Sequence, residues 1–578
     1  MMRSARSLLD RYGTPSAFVF VLYALVIAAL VPHSVIARND DFGYLESTIL
    51  TIWNGWPTTS EWLEPNNALF SAVTAIAYRI SGNFYLSTFG ILIAFAIGNF
   101  LLLDAVLARW APLTAASRRL LGFAIVVSPV YLEKSVSFIG VMPALFFELL
   151  ALICYARRLY PGFFLSVLAG FLVRESAMML LALPLGIVFW RIVEHDRGGR
   201  PPVWQLVLGV VATAAAGFTM KLSLNATWQQ INIDYRALDA LSLARLGRCL
   251  ITGAVVSILS YMVFRLVLGV PATRRTLGER VAANPAGSAA LAILAASSFL
   301  VTTPALRFDL PMPSSLNAWS SEAGVVVLLA FAALALGLRR GISLPWRSPL
   351  LAAAAGWIVL VSLHGKWWDY YFFEIELLAL LLACESAGRG APAAEPRPLA
   401  HGPAAALGAV IAINALCGVY LAFKIARDVE SIRIFERMTR AGELYPQQLA
   451  AAPFGFMGWK LYQPWLQANP GARFVNDAQF MEATDDADTF IRWRLTEAEA
   501  PLAECAILRA GEARLVGVRF HYFVYRCGET SSAIPRLDTT CRVLPLTERE
   551  WELAISGTPC SRAAQSRTEV LVGPTLEP

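Results

Sequence analysis

Asn39 to Glu46 reads NDDFGYLE. The stretch follows an apolar run, Ala17 to Ala37, and so stands at a membrane surface. It sets Asp40 and Asp41 side by side, with Glu46 shortly after and Glu61 and Glu64 further along the same loop. A carboxylate at the edge of hydrocarbon is costly and is kept where something uses it. The plainer alternative is an acidic loop facing water, and the rest of the chain decides between the two.

The chain has 578 residues, of which 57% are hydrophobic and 16% charged. That is the composition of a membrane protein. The net charge of +6 does not point to nucleic acid, because the basic residues fall in short clusters between apolar runs. Such clusters mark cytoplasmic loops under the positive-inside rule. There is no nucleic-acid motif, no phosphate-binding P-loop and no dinucleotide fingerprint.

Arg3, Arg6 and Arg11 precede the first apolar run and place the N-terminus in the cytoplasm. The run is too long for a typical signal peptide, so it reads as an uncleaved helix. Residues 38–83 form the first external loop, with Trp53, Trp56 and Trp62 at headgroup level and surface-lying helices after them. From Phe84 the apolar runs alternate. Arginine groups close nearly every loop on one side, as at Arg118-Arg119, Arg157-Arg158 and Arg339-Arg340. About 13 spans result by length. The expected architecture is therefore an α-helical polytopic membrane domain over 1–425 and a C-terminal α+β domain over 426–578.

In the C-terminal region RFVNDAQFM, DTFIRWRL, ECAILRA and ARLVGVRFHYFVYRC read as strands between polar turns. Residues 425–442 read as a helix ahead of them. Cys505, Cys527, Cys541 and Cys560 all lie here. Four cysteines outside the cytoplasm predict two disulfides, with three pairings open. Zinc is the competing reading, but no CxxC pair is present and His521 is the only histidine nearby.

The charged residues assigned to the other side of the membrane are mixed in sign. They are Asp40, Asp41, Glu46, Glu133, Lys134, Arg174, Glu175, Arg307, Asp309, His364, Lys366 and Asp369. Acids and bases at one membrane level predict a polar cavity open to that face. Carboxylates there can take a proton from a hydroxyl or hold a divalent metal, with Asp41 as the candidate ligand. Arginine and lysine can neutralise a phosphate leaving group. Group transfer from a lipid-linked phosphate needs both.

On these residues the chain resembles the GT-C superfamily of integral-membrane glycosyltransferases, which includes protein mannosyltransferases, lipid A aminoarabinose transferases and arabinosyltransferases. Asp40-Asp41 matches the acidic motif of the first external loop in that superfamily. SGNFYLSTFGIL looks like its passage into the second span, and FLVRESAMMLLALPL like its short paired spans with a basic residue at the outer turn. The likeness in layout covers about residues 15–385. The chain departs from the family in carrying only Glu64-Pro65 where a Pro-Pro or His-Pro pair is common.

The resemblance implies transfer of a sugar from a polyprenyl-phosphate donor to a glycan, lipid or protein acceptor on the periplasmic face of a bacterial inner membrane. Asp40 or Asp41 would be the catalytic base. Arg174, Lys366, Arg307 and Lys134 would meet the donor phosphate. Glu46, Glu175, His364 and Asp369 would complete the site. Each has a plainer alternative: a helix N-cap for the second aspartate, a structural ion pair for Arg174-Glu175, and a snorkelling lysine in an aromatic belt for Lys366. Asp104 is expected to pair with Arg109. A transporter or flippase for a lipid-linked or polar substrate is the alternative function, and it predicts ionisable residues near the midplane. A non-catalytic assembly protein working through its C-terminal domain is the third.

Overall fold

The computed structural model describes residues 67–83, 86–111, 113–194, 201–224, 345–364 and 369–388. It also describes five strand segments between 449 and 527 and scattered residues within 18–58, 250–268 and 396–418. The described elements before 420 are helical. α1 (Ala68–Ser81) is followed by a π-helical turn, Leu86–Gly90, that runs into α2 (Ile91–Trp110). Then come α3 (Ala115–Val126), α4 (Pro129–Lys134), α5 (Val141–Ala156) and α6 (Tyr160–Val173). A 3-10 turn, Glu175–Leu181, leads into α7 (Ala182–Val193). α8 is Val203–Leu224, α9 Pro349–His364 and α10 Asp369–Gly388.

Three helical stretches among the described residues are long and apolar enough to cross a membrane: Leu86–Trp110, Glu175–Val193 and Val203–Ser223. Shorter apolar helices surround them, among them α5, α6 and α9. On α8, Trp204, Leu208, Val211 and Phe218 are each more than half exposed. Apolar side chains bared in a row along one helix suit a lipid-facing surface. α10 is the opposite case: every residue from Leu377 to Cys384 is buried, and the helix lies at the centre of the bundle.

Helix ends follow local chemistry. The apolar run Leu120–Leu132, which reads in sequence as one span, is divided between two helices, because Pro129 cannot continue α3 and instead opens α4. Ser128 caps α4 by accepting a hydrogen bond from the Tyr131 amide. Small residues set the contacts between helices. A Cβ on Gly209 or Gly217 of α8 would come within 2.2 Å of the Phe164 ring or 2.5 Å of the Phe171 ring on α6. The two helices meet this closely because those positions have no side chain.

Asp104 on α2 pairs with Arg118 and Arg119 of α3, at 3.4 Å and 3.3 Å, in place of the expected Arg109. Arg109 sits in the last turn of α2, while α3 carries its two arginines back alongside Asp104.

Farther along, five strands form one sheet in the order β2-β1-β3-β5-β4: β1 (Leu449–Ala450), β2 (Phe474–Val475), β3 (Thr489–Arg494), β4 (Cys505–Leu515) and β5 (Val518–Cys527). β1 runs parallel to β2 and β3, and β3, β5 and β4 are antiparallel. ECAILRA and the start of ARLVGVRF, read as separate strands, are one continuous strand, β4. The break between strands falls after Leu515 instead, and β5 begins at Val518. The helix expected at 425–442 lies outside the described residues.

Candidate functional site

Arg174 occupies the corner where α6 ends and the 3-10 turn begins. Its backbone is extended, and its amide donates to the Gly170 carbonyl at 2.7 Å, which closes α6. Gly170 makes the corner tight: a Cβ there would lie 2.7 Å from the Ala177 Cβ. The corner separates the two charges that the sequence sets side by side. Arg174 points to Glu374 of α10, with Nη1 3.8 Å from Oε1. Glu175 instead pairs with Lys221 in the last turn of α8. The next residue, Ser176, donates to Glu148 of α5 at 3.0 Å.

Three consecutive residues thus reach three different helices. Arg174, Glu374, Glu148 and Lys221 are all buried. Lys221 Nζ also lies 4.4 Å from the centre of the Phe171 ring, so a cation is held over an aromatic face as well as against a carboxylate. The 3.8 Å between Arg174 and Glu374 is an ionic contact longer than a hydrogen bond. Glu374 Oε2 and Glu376 Oε1 are buried with no hydrogen-bond partner among the described residues. Open carboxylate acceptors suit a hydrogen-bond donor such as a hydroxyl, while the guanidinium beside them is the group here that can meet an anion.

Asn67, within the stretch 38–83 expected as the first external loop, reaches this same corner. Asn67, in a left-handed conformation, donates its amide to the Val173 carbonyl at 2.7 Å and its Nδ2 to Phe138 O at 3.1 Å. Gly140 faces it so closely that a Cβ would stand 2.8 Å from Asn67 Oδ1. Near this end α4 packs on α10, with Tyr131 and Phe373 rings 5.3 Å apart. α4 carries Glu133 and Lys134, paired with each other at 3.5 Å.

Of the expected site residues, Lys134, Arg174 and Glu175 therefore stand at one end of the bundle. His364 is the last residue of α9 and Asp369 the first of α10, so the stretch holding Lys366 joins those helices at the end of α10 that carries Glu374. Asp40, Asp41, Glu46, Arg307 and Lys366 lie outside the described residues, as do Cys541 and Cys560. Among the described residues no three His, Cys, Asp or Glu side chains gather as a metal site. Lys221 and Glu374 are not among the residues expected from the sequence, and Glu148 reads there only as a carboxylate within a span. The signal was present, since an ionisable residue inside an apolar run is a functional candidate by default.

The opposite end of the bundle is where α5 turns into α6 and where α7 ends. It carries Arg157, Arg158 and Arg191, with Arg347 paired to Glu194 at 3.3 Å.

No protein-family model matches the chain, and no curated protein matches it. Among solved structures, the crystal structure of ArnT from Cupriavidus metallidurans in the apo state aligns with 87% of this chain and 97% of its own. The two share 14% identity at a TM-score of 0.36. A likeness of that size decides neither fold nor activity.

Proposed function

We propose that the chain is an integral-membrane glycosyltransferase of the GT-C type, moving a sugar from a polyprenyl-phosphate donor to an acceptor on the periplasmic face of a bacterial inner membrane. The acceptor hydroxyl attacks the anomeric carbon, and Asp40 or Asp41 takes its proton. The bond from that carbon to the phosphate oxygen breaks, and the polyprenyl phosphate leaves with the electron pair. Arg174 neutralises the departing phosphate, assisted by Lys366, Arg307 and Lys134. Lys221 joins this set on the strength of its position beside Glu175. Asp41 is also the candidate ligand should a divalent metal take part. Residues 426–578, with the sheet of β1 to β5, form the α+β domain on the same face.

One observation carries the reading: Arg174, a buried guanidinium in ionic contact with Glu374 at 3.8 Å, stands at the corner to which Asn67, within the stretch expected as the first external loop, is hydrogen-bonded. The test uses purified protein in liposomes, a panel of synthetic polyprenyl-phosphate sugars, and release of polyprenyl phosphate as readout. Arg174→Ala is expected to lower the rate about 100-fold or more, the usual loss when a donor to developing negative charge is removed. Asp40→Ala or Asp41→Ala is expected to abolish it. Unchanged rates in all three variants, at equal expression, would sink the proposal.

A second reading, transport of a lipid-linked or polar substrate, is favoured by Glu148, a buried carboxylate halfway along α5. It predicts substrate movement coupled to an ion gradient, with no release of polyprenyl phosphate.

A further inference from the structure

The four C-terminal cysteines allow three disulfide pairings by sequence. The register of the sheet separates them. β4 and β5 form an antiparallel hairpin, and Cys505, the first residue of β4, stands directly opposite Cys527, the last residue of β5. Directly opposed residues in an antiparallel pair have Cα atoms about 4.5 to 5.5 Å apart. A disulfide spans Cα separations of about 4.4 to 6.8 Å. The opposed pair therefore meets the backbone requirement without any movement of the strands, and a shift of register would break the match. The irregularity between Ile507 and Arg509 lies on the hairpin-turn side of this pair. It shifts the register by one residue, and on the unshifted register Cys505 would face residue 528 rather than Cys527.

We infer that Cys505 and Cys527 form a cross-strand disulfide that closes the open end of the β4–β5 hairpin. This goes beyond the proposed activity and does not depend on it. The two thiols give up two protons and two electrons and join as one S–S bond. The acceptor is a dithiol–disulfide oxidant of the compartment outside the cytoplasm, whose own disulfide is reduced to two thiols. The bond ties edge strand β4 to β5 at the end away from the chain connection between Leu515 and Val518. It also fixes which side of the membrane the sheet occupies, because such bonds persist in oxidising compartments and not in the cytosol. Cys541 and Cys560 are left for each other.

Trypsin can read the pairing, because it places every one of these cysteines on its own peptide: 495–509, 527–536, 537–542 and 550–562. The full-length protein is extracted from membranes with an alkylating agent present from lysis, denatured, digested without reduction and analysed by mass spectrometry. The expected species joins 495–509 to 527–536 and splits into the two peptides on reduction. Alkylated Cys505 or Cys527 in the unreduced sample, or either one joined to 537–542 or 550–562, overturns the inference.

Discussion

Arg174 shows how much one residue's partner matters. The sequence places Glu175 beside it, and a neighbouring acid is the natural first guess for an ion pair. At a helix-to-turn corner, however, consecutive side chains diverge, and the guanidinium finds Glu374 some two hundred residues on. Both groups are buried, at 9% and 2% side-chain exposure. Removing one member of such a pair leaves a bare charge, which costs about 3–5 kcal/mol, whereas replacing both with apolar residues of similar volume is often neutral. Glu374→Leu is therefore expected to lower thermal stability in detergent sharply, and Arg174→Met/Glu374→Leu to recover most of it. A double variant no more stable than the single ones would mean that the two groups do not interact. The activity readout separates this role from the proposed one: the double variant is expected to fold and to lose the proposed transfer.

At the scale of elements, two apolar runs among the described residues, Leu350–Leu363 and Val141–Tyr155, were legible almost to their ends. Pro349–His364 and Val141–Ala156 differ from the sequence expectation by a residue or two, because length and hydrophobicity alone specify them. Three features were harder to read. The 3-10 turn over Glu175–Leu181 has the same apolar composition as the helix it leads into, so composition could not mark the change. The sequence between β4 and β5 carries only one glycine among valines, a weak signal for a strand break. Lys221 was hidden because its run reads as a span with a polar end, and only packing against Glu175 gives it a role.

Glycine at 170 belongs to this scale too. It lets the 3-10 turn fold back on α6, and the contact with Ala177 leaves no room for a methyl. Gly170→Ala should force α6 and the turn apart, at about 1–3 kcal/mol for overpacking. Gly408 is a control, since a Cβ there meets nothing within 4 Å. Thermal unfolding should show a lowered midpoint for the first substitution and none for the second. Equal midpoints would mean that the corner holding Arg174 is not set by that contact.

For the whole molecule, the two ends of the helical bundle differ in charge character. One end holds acids and bases in matched pairs: Arg174 with Glu374, Glu175 with Lys221, Glu133 with Lys134. The other is rich in arginine, with Arg157 and Arg158 exposed at the α5–α6 turn. Lysine and arginine near span ends set orientation, and the side richer in them stays in the cytoplasm. The paired end should then face the periplasm together with the first external loop. Ser223 is exposed beyond Lys221 at the paired end, and Leu159 is exposed at the arginine end. Ser223→Cys should react with a membrane-impermeant maleimide in intact spheroplasts. Leu159→Cys should react only after the membrane is opened, each judged against the unsubstituted protein. The reverse pattern would put Arg174 and Lys221 on the cytoplasmic side. Asn67 binds the first loop to that same corner, so the loop carrying Asp40 and Asp41 would move with them, and a periplasmic transfer reaction would be ruled out by geometry alone.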